Sequence, residues 1–151
     1  MKLSEHFDLS EMIVSQTALR QGIDNTPSPT IVANLRKTAA LLEEVRGLLG
    51  TPLLITSGYR CPALNVAVGG VVARNPDGTE RLSAHTAGQA ADFHSPAFGS
   101  PKSIAIKLAG TPGLAFDQLI YEFGAWVHIA WADSPRHQVL TIDGAGARWG
   151  L

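Results

Sequence analysis

The stretch from Ile31 to Leu49 constrains the fold more than any other part of the chain. Ile31, Leu35, Ala39, Leu42, Val45 and Leu49 recur at steps of three and four residues, which makes an amphipathic helix with one buried stripe. Ser28 or Thr30 can start it, Pro29 suits its first turn, and Gly50 and Pro52 close it. Upstream, Ser4 and Ser10 are expected N-caps, Ser10 preceding Glu11, Met12, Ile13 and Val14. Gly22 and the Asn25-Thr26-Pro27-Ser28-Pro29 cluster break the chain between helices. Residues 1–50 therefore read as a helical N-terminal part.

The character changes after Pro52. Leu53-Leu54-Ile55-Thr56 is a short apolar run, expected as a buried strand that enters the turn Ser57-Gly58-Tyr59-Arg60. Asn65 to Leu82 is rich in Gly and Val and carries the turn signal Asn75-Pro76-Asp77-Gly78, so a surface loop is expected there. Further strands are expected over 90–94, 118–122, 126–131 and 138–142, with a short helix over 103–109 capped by Ser100 or Ser103, and a Gly-rich tail at the end. Helices first and mainly antiparallel strands afterwards make an α+β fold: N-terminal helices packed on a small sheet. The 151 residues fit a single domain, 1–151, with its core over 51–143.

Twelve basic residues against thirteen acidic ones leave a net charge of −1. That balance gives no electrostatic reason to expect nucleic acid or an anionic membrane as a partner. The single cysteine, Cys61, allows no intramolecular disulfide and no Cys-rich zinc site, and reads as a small buried hydrophobe. The opening Met1-Lys2-Leu3-Ser4-Glu5-His6-Phe7-Asp8 lacks the apolar stretch of a signal peptide, and no run is long enough to span a bilayer. Synthesis in the cytoplasm and a monomeric state are the expectations.

Three segments hold the residues with chemistry to offer: Ser83-Ala84-His85-Thr86-Ala87-Gly88-Gln89-Ala90-Ala91-Asp92, Glu122-Phe123-Gly124-Ala125-Trp126-Val127-His128, and Ser57-Gly58-Tyr59-Arg60. Zinc accepts imidazole nitrogen and carboxylate oxygen, and a catalytic site keeps three protein ligands and one open position. His85 and Asp92 can meet if the chain doubles back at Gly88 into a strand, and alternation puts Trp126, His128 and Ala130 on one strand face. Spacing alone leaves open a satisfied polar pair or surface residues.

The full string, Ser-x-His-x-x-Gly-x-Ala-x-Asp followed by Trp-x-His with Ser-Gly-Tyr-Arg upstream, resembles the signature of the M15 zinc peptidases. These include D-alanyl-D-alanine carboxypeptidases and phage endolysins that cut the L-alanyl-D-glutamate bond. The resemblance spans about Ser57 to Trp131, and Leu3-Ser4-Glu5-His6-Phe7 is similar to the start of phage and prophage members. It implies a Hedgehog-like zinc fold, a Zn²⁺ cofactor held by His85, Asp92 and His128, and Arg60 at the site holding a substrate carbonyl or carboxylate. It implies peptidoglycan stem peptide as the substrate. An endolysin of this kind would act on the cell wall in the periplasm.

Two positions depart from the family pattern. Ala125 stands where many members carry an acid, and Trp126 replaces the first His of a His-x-His. The same offset as Glu122 to His128 occurs in the Hedgehog zinc site, which makes Glu122 the expected general base, with Asp117 as the fallback. Ser83 is expected near the metal or as a turn cap, and His94 as a structural neighbour of Asp92. His6 and His137 are expected at the surface, and Tyr59, Trp126 and Trp131 as groove or core aromatics. A non-catalytic zinc-containing wall-binding or interaction domain is the alternative reading.

Overall fold

The computed structural model describes residues 1–74 and 76–151. Three helices open the chain: α1 (Leu9–Ile13), α2 (Gln16–Gln21) and α3 (Pro29–Leu49). The start of α1 corrects the expected caps. Asp8 caps it, accepting from the backbone N–H of Ser10 at 3.0 Å, while Glu11 accepts from the Asp8 N–H in return. An ionised carboxylate one position outside the first turn outcompetes the Ser10 hydroxyl, which itself donates to Asp8. Ser4 starts no helix; its hydroxyl donates to Glu43 on α3 at 2.6 Å, beside the backbone N–H of His6 at 2.7 Å. Burial pushes the Glu43 carboxyl up, but these hydrogen bonds outweigh it and bring the group down to about 2. The N-terminus is thereby tied to the long helix.

α3 begins and ends as its residues dictate, with the Ser28 side chain accepting from the Ile31 N–H, Pro29 in the first turn and Gly50 at the end. Its buried stripe is Leu35, Thr38, Ala39, Leu41, Leu42, Val45 and Leu49. β1 (Leu54–Ser57), α4 (Pro62–Ala67) and the paired strands β2 (Val72–Arg74) and β3 (Glu80–Leu82) follow. The loop expected from Asn65 to Leu82 is therefore interrupted by the end of a helix and by a hairpin. Six residues led by Pro62 are too few to display a periodic stripe, which is why α4 does not stand out in the sequence. Asn75, the first residue of the expected turn, lies outside the described residues.

A 3₁₀ turn over Ala84–Ala87 leads into β4 (Ala90–His94), and α5 (Pro101–Ala109) starts on the Ser100 cap. β5 (Gln118–Glu122), β6 (Trp126–Ala130), β7 (Gln138–Asp143) and β8 (Gly146–Trp149) complete the chain. β8 corrects the expectation of an irregular Gly-rich tail. It pairs with β7 from Leu140–Trp149 to Asp143–Gly146, and only that partner's free edge makes it a strand.

The six-stranded sheet has the order β1-β4-β6-β5-β7-β8. Every neighbouring pair is antiparallel except β5 with β7, so the α+β fold carries a mixed sheet. One face packs on α3 and α5 through Ala91, Phe93, Leu119, Val127 and Ile129, all fully buried. The residues between them, Asp92, Ile120, Glu122, Trp126 and His128, point to the opposite face. No helix among the described residues is long and apolar enough to cross a membrane.

Candidate metal centre

The register of β4 and β6 sets Asp92 directly opposite His128. In such a pair the side chains emerge on one face within reach of each other, and His128 Nδ1 lies 2.9 Å from Asp92 Oδ1. His85 reaches them from the 3₁₀ turn. Gly88 makes that return possible with a left-handed φ of 70°, and a Cβ there would press on Ile31 of α3 at 3.1 Å. Polar residues on the edge of the α3 stripe hold the turn in place: Asn34 donates to the Ala87 carbonyl at 2.8 Å and Thr38 to the Gly88 carbonyl at 2.7 Å. The long helix thus positions the site as well as closing the core.

His85 is fixed from the other side by the Ser57–Arg60 segment. Its Nδ1–H donates to the Gly58 carbonyl at 2.6 Å, and its own carbonyl accepts from the Arg60 N–H at 3.2 Å. Gly58 has no room for a side chain, because a Cβ would collide with the backbone of Met12. A carbonyl can only accept, so Nδ1 carries the proton and Nε2 presents a lone pair. That lone pair lies 3.2 Å from both His128 Nδ1 and Asp92 Oδ1.

These three atoms fit a metal ion. Ligands about 2.0–2.1 Å from a tetrahedral ion stand about 3.3 Å from one another; the three separations here are 2.9, 3.2 and 3.2 Å. All three side chains are buried. Two imidazole nitrogens and a carboxylate oxygen crowd together around a point that calls for positive charge. The titration directions of His85 and Asp92 suit ligation, while that of His128 favours the imidazolium. Burial lowers His85 despite the Asp92 charge, which favours the neutral imidazole that ligates. Burial acts to raise Asp92, but the charges and hydrogen bonds of His85 and His128 outweigh it and hold it far below the usual carboxylate range. Burial acts to lower His128, yet its bond to Asp92 and the Asp92 and Glu122 charges raise it.

Glu122 and Arg60 lie beside the triad. Glu122 Oε1 is 3.9 Å from His128 Nδ1. Burial raises its carboxyl, with the Asp92 charge adding to the effect, while His128, Arg60 and the Trp126 indole pull it back. Trp126 Nε1 is itself buried without a formed hydrogen bond. Trp126 is the cross-strand partner of Glu122, joined to it by a tight turn in which Phe123 takes a left-handed φ of 51°. Arg60 stands with Nη1 4.0 Å from Asp92 Oδ2. Ser57, Asn65 and Ser83 each accept from one of its three nitrogens, at 3.1, 3.3 and 3.2 Å.

The remaining candidates divide. Ser83 fills both expected roles, capping the 3₁₀ turn through the His85 N–H and bonding Arg60. Asp117 is occupied by Arg136 at 2.9 and 2.7 Å, leaving Glu122 as the carboxylate nearest the triad. His94 lies on the site face beyond Asp92, outside the three-residue cluster. Tyr59 and Trp126 line the cleft, but Trp131 turns away to bond Thr38 of α3 at 2.8 Å under Lys37. Cys61 is half-buried, His6 bonds Glu43 at 2.8 Å, and His137 stacks on Phe116 at the surface. Asn65 and the Gly58 carbonyl are the supporting groups that sequence reasoning missed. A lone Asn on a short helix and a backbone oxygen leave no pattern to find.

Among curated proteins none matches the chain. The model of the Peptidase M15 family matches residues 5–130, a span that includes His85, Asp92, His128, Glu122 and Arg60 and leaves out residues 1–4 and 131–151, with β7 and β8. A match over that much of the chain, together with a His-Asp-His cluster able to hold a metal, shows that the chain belongs to the Peptidase M15 family.

Proposed function

We propose that this protein is a zinc-dependent peptidase that hydrolyses stem-peptide bonds of bacterial peptidoglycan and is related to phage or prophage lytic enzymes. The observation that carries this reading is the convergence of His85, Asp92 and His128 at tetrahedral spacing inside a region matched by a peptidase family. These residues would hold the zinc, which when bound supplies Lewis acidity toward a carbonyl oxygen and acidifies water. Glu122, its affinity for protons increased by burial, takes the proton of the attacking water and returns it to the leaving amine. Arg60 turns its remaining N–H groups toward the oxygen on which negative charge develops. Because its side chain is already held by three acceptors, little ordering is left to do during the reaction.

The test is zinc content measured beside amine release from purified peptidoglycan, wild type against His128→Ala. One zinc per chain, lost in the variant together with hydrolysis, is the expected result. Stoichiometric zinc with no hydrolysis would favour a non-catalytic wall-binding domain instead. No zinc under metal-replete conditions would overturn the reading.

A further inference from the structure

Asn65 is a polar residue with no exposed surface, and each of its polar groups is bonded. Its backbone N–H donates to the Cys61 carbonyl at 2.9 Å at the start of α4, and its carbonyl accepts from the Gly70 N–H at 2.7 Å. The side-chain oxygen accepts from Arg60 Nε at 3.3 Å, and the side-chain nitrogen donates to the Val71 carbonyl at 3.2 Å. An arginine N–H can only donate and a carbonyl can only accept, so this seat calls for a side chain that offers both an acceptor and a donor. A carboxylate lacks the donor, and an aliphatic side chain lacks both.

The two side-chain partners belong to different parts of the cleft. Val71 immediately precedes β2, at the root of the β2–β3 hairpin, and Arg81 and Leu82 of that hairpin line the same recess as the His-Asp-His cluster. Ser83, the residue after β3, closes the root. Its N–H donates to the same Val71 carbonyl at 3.1 Å, and its hydroxyl accepts from Arg60 Nη2 at 3.2 Å. The hairpin root and the guanidinium are thus held by the same two residues, Asn65 and Ser83. Gly70 lets the chain pass this close, because a Cβ there would overlap the Asn65 side-chain amide. The three bonds to Arg60 take one N–H on each of its nitrogens, which leaves one on Nη1 and one on Nη2. Those are the groups offered to the substrate in the reading above.

We propose that Asn65 is a positioning residue for Arg60: by joining the Nε–H of the guanidinium to the root of the β2–β3 hairpin, it keeps the two remaining terminal N–H groups aimed at the reacting carbonyl. The inference rests on the peptidase reading above. Asn65 touches neither substrate nor metal in it and acts only through Arg60. An arginine released at Nε swings on a flexible stem, and a displacement of about 1 Å can cost about a hundredfold in rate.

The test is a double-mutant cycle on the zinc-loaded enzyme, with amine release from purified peptidoglycan as the assay. Asn65→Leu, close to Asn in shape, should lower kcat/KM by about tenfold or more at unchanged zinc content. In an Arg60→Ala background the same substitution should change it by less than about twofold, because the group it acts through is gone. Gly70→Ala displaces the Asn65 amide from the hairpin side and leaves α4 untouched. It should reproduce both results, and it decides the matter if Asn65→Leu fails to fold. The Arg60 Nε–H resonance of isotope-labelled protein gives a reading that does not depend on activity: protected from exchange in the wild type, it should exchange faster by about tenfold or more in both variants. Equal losses with and without Arg60, or a resonance that neither variant alters, would overturn the inference and leave the peptidase standing. No hydrolysis by the zinc-loaded wild type would overturn both the peptidase reading and this role.

Discussion

On β4, Ala91 and Phe93 point toward α3 and α5 and are fully buried, while Asp92 between them points the other way, to His85 and His128. On β6, Val127 and Ile129 fill the same core and His128 faces away from it. The core face is close-packed and uncharged. The site face holds two imidazoles, two carboxylates and a guanidinium within a few ångströms. A strand's period of two residues lets neighbouring positions serve opposite ends: one face supplies the stability that holds a crowded, poorly self-compensated charge cluster on the other. Substitutions on the two faces should therefore separate cleanly into loss of stability and loss of chemistry.

The largest effect belongs to the site face. Glu122→Gln keeps the shape of the side chain and removes the proposed base, so kcat should fall by about 10²–10⁴-fold while zinc content and thermal midpoint stay as in the wild type. Near-normal turnover would take the base away from Glu122. On the core face, Phe93→Ala should cost about 3–5 kcal/mol in denaturant unfolding, because Phe93 has no exposed surface. A loss below about 1 kcal/mol would show that the packing on that face is not what holds the strands. The smallest effect sits where the faces meet, at the β5–β6 turn. Phe123 is a bulky residue at φ 51° with its ring 5.6 Å from that of Trp126. Phe123→Gly relieves that backbone and should raise stability by about 1 kcal/mol. A matching fall in kcat/KM would show that the aromatic pair helps to seat Trp126 and Glu122. Unchanged kinetics would confine Phe123 to the turn.

Much of this was legible in the residues. The α3 stripe with Ser28, Pro29 and Gly50 reads directly as a helix with its ends, and the spacing around Gly88 brings His85 back to Asp92. The alternation through Trp126, His128 and Ala130 puts His128 on the face where β4 meets it. What stayed hidden depends on contacts distant in sequence. α4 is held by Asn25, whose side chain accepts from the Cys61 N–H at 2.7 Å, thirty-six positions away. β8 exists only as the partner of β7, and the hold on Arg60 by Asn65 requires the fold of α4 first. The parallel β5–β7 pairing likewise follows from the path of the chain past β6, which no local pattern encodes.

The N-terminal residues have a kinetic consequence. The Met12 carbonyl accepts the Tyr59 N–H at 2.6 Å, and Asn25 donates to the carbonyls of Ile13 and Tyr59 at 2.9 and 3.0 Å. Gly58 is pressed against Met12, and Gly58 in turn carries His85. These contacts predict that the first helices and His85 open as one cooperative unit, so that exchange of the Tyr59 and Arg60 amides with solvent reports the same event that frees His85. If His85 holds an ion as proposed, its release and the loosening of the N-terminus should share one rate.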